Sequence, residues 1–159
     1  MPVLTPKEVY STPGGAGNVA KNLSELGANV TCVGSIGLDE HGLELKNLLK
    51  QKNINTKNLY ETNLPTTLKK RYYLNGKQVL RVDIEEVVNN WVPPKIDFLY
   101  DNYDLIIISD YNKGVLSDKI ISFIINLSKN QKIPIIVDPK KENFESYKGA
   151  TVITPNMKE

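Results

Sequence analysis

The chain has 159 residues, 40% of them apolar and 24% charged, which is the composition of a folded globular protein with room for one sizeable core rather than of a disordered tail. Its 20 basic and 18 acidic residues leave a net charge of +2, and only Arg71 and Arg81 are arginine, so nothing points to a nucleic-acid partner. A single cysteine, Cys32, and a single histidine, His41, argue against a disulfide scaffold, a structural zinc site, a Cys–His nucleophile pair and a Ser–His–Asp triad.

The first residues, with Pro2, Pro6 and Pro13, read as an extended lead-in without the apolar stretch of a secretion signal. From Gly15 to Leu26, small and apolar residues fall at Ala16, Val19, Ala20, Leu23 and Leu26, a helical spacing that Gly27 ends. Residues 29–33 read as a short strand. Asp39 is placed to cap a second helix running to Lys52, with Leu43, Leu45, Leu48 and Leu49 as its apolar face. Residues 66–74 and 77–84 are rich in β-formers and separated by Asn75-Gly76, a pair that tolerates the positive φ angles of a type I′ hairpin turn. Charges alternate at Lys69, Arg71, Arg81 and Asp83, giving this hairpin one polar face. It therefore reads as a flap rather than a central sheet element.

Beyond a polar join at Asn89-Asn90 and Pro93-Pro94 the pattern becomes repetitive: a strand at 104–109, a helix at 118–129, a strand at 134–138, a short helix at 142–147 and a strand at 151–154. Strands alternating with helices predict βαβ units and a mostly parallel sheet. The apolar runs at 105–108 and around Ile124-Ile125 are too short to span a bilayer, so a soluble, cytoplasmic α/β domain without membrane contact is expected. The strands end in Asp110-Tyr111, Asp138-Pro139-Lys140 and Thr154-Pro155-Asn156, and ligands of open α/β sheets sit beyond such carboxyl ends.

Gly15-Ala16-Gly17-Asn18-Val19-Ala20 satisfies G-x-G-x-x-A, the dinucleotide fingerprint, with Asp39 near the place of a ribose-binding acid. That fingerprint follows a buried strand directly, whereas Tyr10-Ser11-Thr12-Pro13 precedes the glycines here. A glycine-rich helix start with no ligand is a second possibility. A third rests on a longer string: Gly14-Gly15-Ala16-Gly17-Asn18-Val19-Ala20, then Gly27 and Gly37, resembles the first signature of the PfkB, or ribokinase-like, sugar kinases. Ser109-Asp110-Tyr111-Asn112-Lys113-Gly114-Val115-Leu116, Val137-Asp138-Pro139-Lys140 and Thr154-Pro155-Asn156-Met157-Lys158-Glu159 occur in that family's order and spacing. With the hairpin, they resemble its heptose 7-phosphate kinase branch.

The resemblance implies part of a ribokinase-like three-layer α/β sandwich over residues 1–159, with residues 66–84 as a protruding β-hairpin lid. It implies ATP-dependent phosphorylation of a phosphorylated sugar, D-glycero-D-manno-heptose 7-phosphate to the 1,7-bisphosphate used in lipopolysaccharide core synthesis. ATP and Mg2+ are the implied co-substrate and cofactor, and a second copy meeting the lid is the implied partner. Gly14, Gly15 and Asn18 would hold sugar hydroxyls, since bare backbone amides at a helix start bind oxygens. Lys69, Arg71, Arg81 and Lys113 would meet the sugar's phosphate, guanidinium groups doing so through paired hydrogen bonds; the alternative for each of the three lid cations is a solvated strand face. Asp110 would take a hydroxyl, or simply cap a turn. Asp138, Lys140, Asn156 and Glu159 fall on the phosphate and nucleotide side, with Glu159 holding Mg2+ through water. Lys141, beside Lys140, reads as a surface charge.

Two parts of the family pattern have no counterpart here: an opening strand with a sugar-binding aspartate, and the Gly-Ala-Gly-Asp motif that supplies an anion hole and the base. The resemblance thus implies no catalytic residue among residues 1–159 and no useful turnover by them alone. Other sugars (ribose, a fructose phosphate, a nucleoside) and a non-catalytic sugar-phosphate-binding or assembly module remain as alternatives.

Overall fold

A computed structural model describes residues 5, 7–88, 91–93, 102–141 and 143–157. The expected join at Asn89-Asn90 and Pro94, and Glu142, Lys158 and Glu159, lie outside the described residues.

Helix α1, Gly15–Glu25, ends as the glycine spacing predicts: Gly27 takes φ +93°, its N–H donates to the Ser24 carbonyl and that of Ala28 to the Leu23 carbonyl. Those two bonds are the paired closure of a left-handed cap, which a residue with a Cβ enters only at a cost. Strand β1, Thr31–Gly37, starts later and runs farther than expected, because backbone pairing rather than apolar content defines it. Helix α2, Glu40–Lys50, is capped by Asp39, whose Oδ1 accepts from the Gly42 N–H at 2.7 Å. Leu43 does not join its apolar face and is 62% exposed. Leu45 and Leu49, one turn apart, select the buried side, and Leu43 points about 200° away from Leu45.

Strand β2, Asn55–Thr62, was not evident in the sequence and pairs parallel to β1. Strands β3, Leu68–Leu74, and β4, Lys77–Ile84, form a separate antiparallel hairpin. Its turn has φ +50° at Asn75 and +76° at Gly76, the conformation a two-residue hairpin turn demands. Strand β5, Ile106–Ser109, helix α3, Asp118–Gln131, strand β6, Ile135–Asp138, a 3-10 turn at Phe144–Tyr147 and strand β7, Val152–Ile153, follow the predicted rhythm. β5, β6 and β7 are neighbours in one parallel sheet.

The parallel strands thus divide into two sheets, β1–β2 and β5–β6–β7, and α1 packs against both β1 and β5. In place of a single core, two clusters form. Ala20, Cys32, Ile36, Leu49, Ile54 and Leu59 bury the first; Ile108, Ile121, Ile125, Ile135, Val137 and Tyr147 bury the second. Each aliphatic side chain removed from water in them contributes roughly 1.5–3 kcal/mol. Gly17 lets α1 approach α2, since a Cβ there would touch Pro13, Leu45 and Leu49 at 3.2–3.8 Å. No helix of the described residues is long and apolar enough to cross a membrane.

Candidate functional site

Sheet register fixes where the strand ends fall. Ser109 of β5 lies beside Asp138 of β6, and the Asp110 N–H donates to the Asp138 carbonyl at 2.9 Å, so both strands deliver their polar residues to one edge. The five residues Asp110 to Gly114 turn tightly there. Asp110 Oδ1 accepts the Asn112 N–H at 2.7 Å, with Asn112 at φ +51° and Gly114 at φ +88°. Gly114 has no tolerable substitute: a Cβ would overlap the carbonyl oxygen of Val88, whose N–H donates to the Lys113 carbonyl at 2.9 Å.

Four segments converge on this turn. The glycine loop comes first. Gly15, at φ +52°, lies under the Tyr111 ring, which a Cβ would meet at 3.3 Å, while Gly14 opens onto empty space and caps α1 with no side-chain acceptor. Asn18, on the first turn of α1, is exposed. The extended residues before Gly14 include no strand among those described, so the context of a dinucleotide fingerprint is missing, and Asp39 serves as a helix cap instead.

The hairpin is the second segment. Lys69 pairs with Asp83 and Arg71 with Arg81 across the strands, so these four side chains share one face, while Leu68, Lys70, Tyr72, Leu80, Val82 and Ile84 share the other. Lys69 Nζ donates to Asp83 Oδ2 at 2.8 Å and to Glu85 Oε2 at 3.0 Å; Arg81 Nε donates to Asp83 Oδ1 at 2.9 Å. Glu85 Oε1 accepts from Lys113 Nζ at 2.8 Å, tying the hairpin to the turn. Those bonds hold the Lys69 ammonium above its usual range, through Asp83 first and Glu85 second, and hold the Glu85 carboxyl below its own, through Lys113 first and Lys69 second. Arg71 and Arg81 stand directly opposite each other, a like-charge pairing that the Asp83 carboxylate beside Arg81 partly offsets.

The third and fourth segments are the β6 end and the 3-10 turn. Tyr147, fully buried, donates its phenolic proton to Asp110 Oδ2 at 2.7 Å and accepts the Lys140 and Lys141 N–H groups at 3.4 and 3.3 Å. Burial, and then the bond to Asp110, pushes the Tyr147 phenol up to about 12. Asp110 is itself only 3% exposed with both carboxylate oxygens engaged, which is the arrangement of a residue that holds a turn. Lys141 is not a surface charge: its side chain is 15% exposed, and Nζ donates to Asp118 Oδ1 at 2.6 Å and to the Leu116 carbonyl at 2.9 Å. Asn112, Asp118, Lys140, Lys141 and Asn143 line a cleft of about 420 Å3 beside the turn.

Asp138 and Asn156 are exposed at the ends of β6 and β7, on the same edge, and Lys140 is exposed at the cleft. Glu159 lies outside the described residues. Among the described residues no group of three or more His, Cys, Asp or Glu side chains is placed to hold a metal ion. Sequence reasoning missed Glu85, Tyr147 and Tyr111. The i, i+2 spacing from Arg81 and Asp83 could have found the first, and the strand-end position beside Asp110 the last; nothing local marks Tyr147.

The pfkB family carbohydrate kinase model matches residues 1–159. An uncharacterized sugar kinase of Buchnera aphidicola subsp. Schizaphis graminum is 37% identical over 166 residues, covering all of this chain and 51% of that protein. The bifunctional protein HldE of Proteus mirabilis is 38% identical, and that of Aliarcobacter butzleri 40%, covering 100% and 99% of this chain and 34% of each relative. Among solved structures, the tetrameric inhibited form of phosphofructokinase-2 from Escherichia coli superposes with a TM-score of 0.71 at 21% identity, covering 99% of this chain and 56% of that one. The PfkB protein from Polaromonas sp. JS666 gives 0.65 at 13% identity, covering 93% and 56%. The chain therefore spans between a third and a half of the length of the curated relatives it matches. With its fold, its glycine loop and a family match along its whole length, this chain belongs to the pfkB family of carbohydrate kinases.

Proposed function

We propose that residues 1–159 form the sugar-binding half of a kinase domain that transfers a phosphoryl group from ATP to a phosphorylated sugar, with D-glycero-D-manno-heptose 7-phosphate as the substrate. The observation that carries this is the convergence of the glycine loop, the cationic hairpin face and Lys113 around the turn at 110–114. Gly14, Gly15 and Asn18 hold the sugar's hydroxyls. Lys69, Arg71, Arg81 and Lys113 hold its phosphate, and the facing arginines favour an anion there. Four cations exceed what a neutral sugar needs. The names of the HldE relatives support the same sugar class.

ATP is the co-substrate, its phosphates lying toward Asp138, Lys140, Asn156 and Glu159, with Mg2+ entering on the nucleotide. Phosphoryl transfer depends mainly on positioning and charge stabilisation, and these residues position. The base that takes the hydroxyl proton is not one of them: Asp110 is locked by Tyr147 and Asn112, which leaves Asp138 as the one exposed strand-end carboxylate among the described residues. Residues 66–84 act as a lid, and their apolar face, with Leu80 50%, Val82 39% and Ile84 42% exposed, meets a second copy. The protein works in the cytoplasm, where sugar phosphates and ATP are found together.

The test is binding and turnover. Arg71→Ala should weaken heptose 7-phosphate binding by roughly 1.5–3 kcal/mol, the worth of a charged hydrogen bond. Ribose bound as tightly as heptose 7-phosphate would refute the substrate. The 1–159 polypeptide should show no ATP-dependent phosphorylation above background; turnover abolished by Asp138→Asn would identify a base within it and overturn the positioning role.

A further inference from the structure

Glu85 carries an inference that deepens this reading and rests on it. Its carboxylate stands between two of the cations assigned to the substrate phosphate, with Oε1 on Lys113 Nζ at 2.8 Å and Oε2 on Lys69 Nζ at 3.0 Å. We propose that Glu85 is a built-in competitor of the substrate phosphate: its carboxylate occupies the anion position of the site, a substrate phosphate takes the same two ammonium groups by displacing it, and a neutral sugar does not.

The geometry supports displacement. Glu85 lies just past the end of β4, and three residues later the Val88 N–H is fixed to the Lys113 carbonyl, so the backbone beside the site is tethered while the carboxylate is held by its two ion pairs alone. That side chain is 27% exposed, against 36% for Lys69 and 39% for Lys113, so a rotated carboxylate reaches water without crossing a packed core. Lys69 keeps Asp83 as a partner at 2.8 Å, and Arg81 is anchored to the same Asp83 at 2.9 Å. Counting all four cations assigned to the phosphate, Lys69, Arg71, Arg81 and Lys113, against Asp83, the site without Glu85 has an excess of three positive charges, and with Glu85 in place the excess is two.

Two consequences follow for the lid. In the absence of ligand, Glu85 bridges hairpin and turn, so the lid rests over an electrostatically satisfied site. When phosphate replaces the carboxylate, the bridge between Lys69 and Lys113 persists through the ligand. A sugar without phosphate leaves the Glu85 bridge intact and gains nothing from these cations. The carboxylate thus lowers affinity for phosphorylated sugars in exchange for keeping the cations ordered, and it removes any incentive for stray chloride or carboxylate ions to bind.

The experiment is titration calorimetry of the purified protein with heptose 7-phosphate, with the same heptose lacking its phosphate, and with inorganic phosphate. Glu85→Gln keeps the shape and removes the charge; Glu85→Ala is the second variant should the amide distort the turn. At low ionic strength either variant should bind heptose 7-phosphate and inorganic phosphate about 10-fold more tightly than the wild type, the order expected for one competing charged hydrogen bond. The gain should shrink as salt is raised toward 0.5 M, and binding of the neutral heptose should not change. Unchanged or weaker phosphate binding in both variants, or an equal gain for the neutral sugar, overturns the proposal. Lys113→Ala separates the two levels. If it weakens heptose 7-phosphate binding while the Glu85 variants change nothing, only the role of Glu85 fails; if it too changes nothing, the phosphate site itself is misplaced.

Discussion

Replacing Tyr147 by phenylalanine removes one oxygen from the second core and should unsettle the site from behind. The phenol is fully buried, donates to Asp110 Oδ2 at 2.7 Å and accepts two backbone N–H groups from Lys140 and Lys141. Tyr147→Phe leaves the ring's packing intact, so the loss is confined to those bonds. A hydrogen bond to a buried carboxylate is worth about 1.5–3 kcal/mol, and the two longer amide contacts add little. The titration of the phenol is a separate matter: burial first and the Asp110 bond second push it from an ordinary value near 10 up to about 12, because the folded site disfavours the phenolate. A raised folded value means that this contribution is complete below about pH 10 and is lost as pH rises through 12. Urea unfolding at pH 7.5 should therefore show Tyr147→Phe less stable by about 2–3 kcal/mol, with a melting temperature lower by about 4–12 °C. The gap to wild type should begin to close above pH 10, and amide exchange at Lys140 and Lys141 should accelerate. A change below about 0.5 kcal/mol, or a gap constant across that pH range, would refute the claim that the phenol holds the turn.

Gly114→Ala must place a Cβ on the Val88 carbonyl at a positive φ, and the combined strain and overlap should cost roughly 2–4 kcal/mol and release the 85–88 segment, seen as faster amide exchange at Val88. Gly76→Ala, also at positive φ but with open space around it, should cost only about 1 kcal/mol and leave ligand affinity unchanged in calorimetry. Thr66→Val removes the hydroxyl that donates to Asp39 Oδ1 and accepts the buried Gly37 N–H at 2.8 Å, for a loss of about 1–3 kcal/mol in urea unfolding. Burial opposes ionisation of Asp39, but the Thr66 amide and hydroxyl and the Gly42 amide outweigh it and hold its carboxyl below the usual range. Its contribution is thus present above about pH 4 and lost as pH falls through the lowered value, so the gap between Thr66→Val and wild type should narrow in acid.

Legibility followed the range of the forces involved. The hairpin could be read to its end because Asn75-Gly76 fixes the turn through two residues' own backbone preferences. The caps at Asp39 and Gly27 are equally local. Strand β2 escaped because Asn-Thr-Lys-Asn-Leu-Tyr-Glu-Thr carries little apolar content; only Thr56 and Leu59 point into the core, and β1 defines the strand by pairing with it. The division of the parallel strands into two sheets with two cores is a matter of which strands lie side by side, which periodicity does not encode. In the candidate site, the glycine loop, hairpin cations and strand-end residues were recognisable from motif spacing. The partners that immobilise them were not: Tyr147 sits 37 residues from Asp110, and Glu85 lies 28 from Lys113.

Those separations also bear on how the chain acquires its site. The first core gathers α1, β1, α2 and β2 from a continuous stretch, and the hairpin closes on a two-residue turn, so both form through short loops at small entropic cost. The turn at 110–114 instead waits for Gly15, Glu85, Val88 and Tyr147, each brought from a distant part of the chain. Its approach to Gly15 closes the longest of these loops, and its polar bonds to Glu85 and Val88 carry little apolar reward, so they are expected to form after the folding barrier. Substitutions at Glu85 or Gly114 should then quicken unfolding while leaving the folding rate nearly untouched, and the affinity of the site can drift over generations without slowing the birth of the fold.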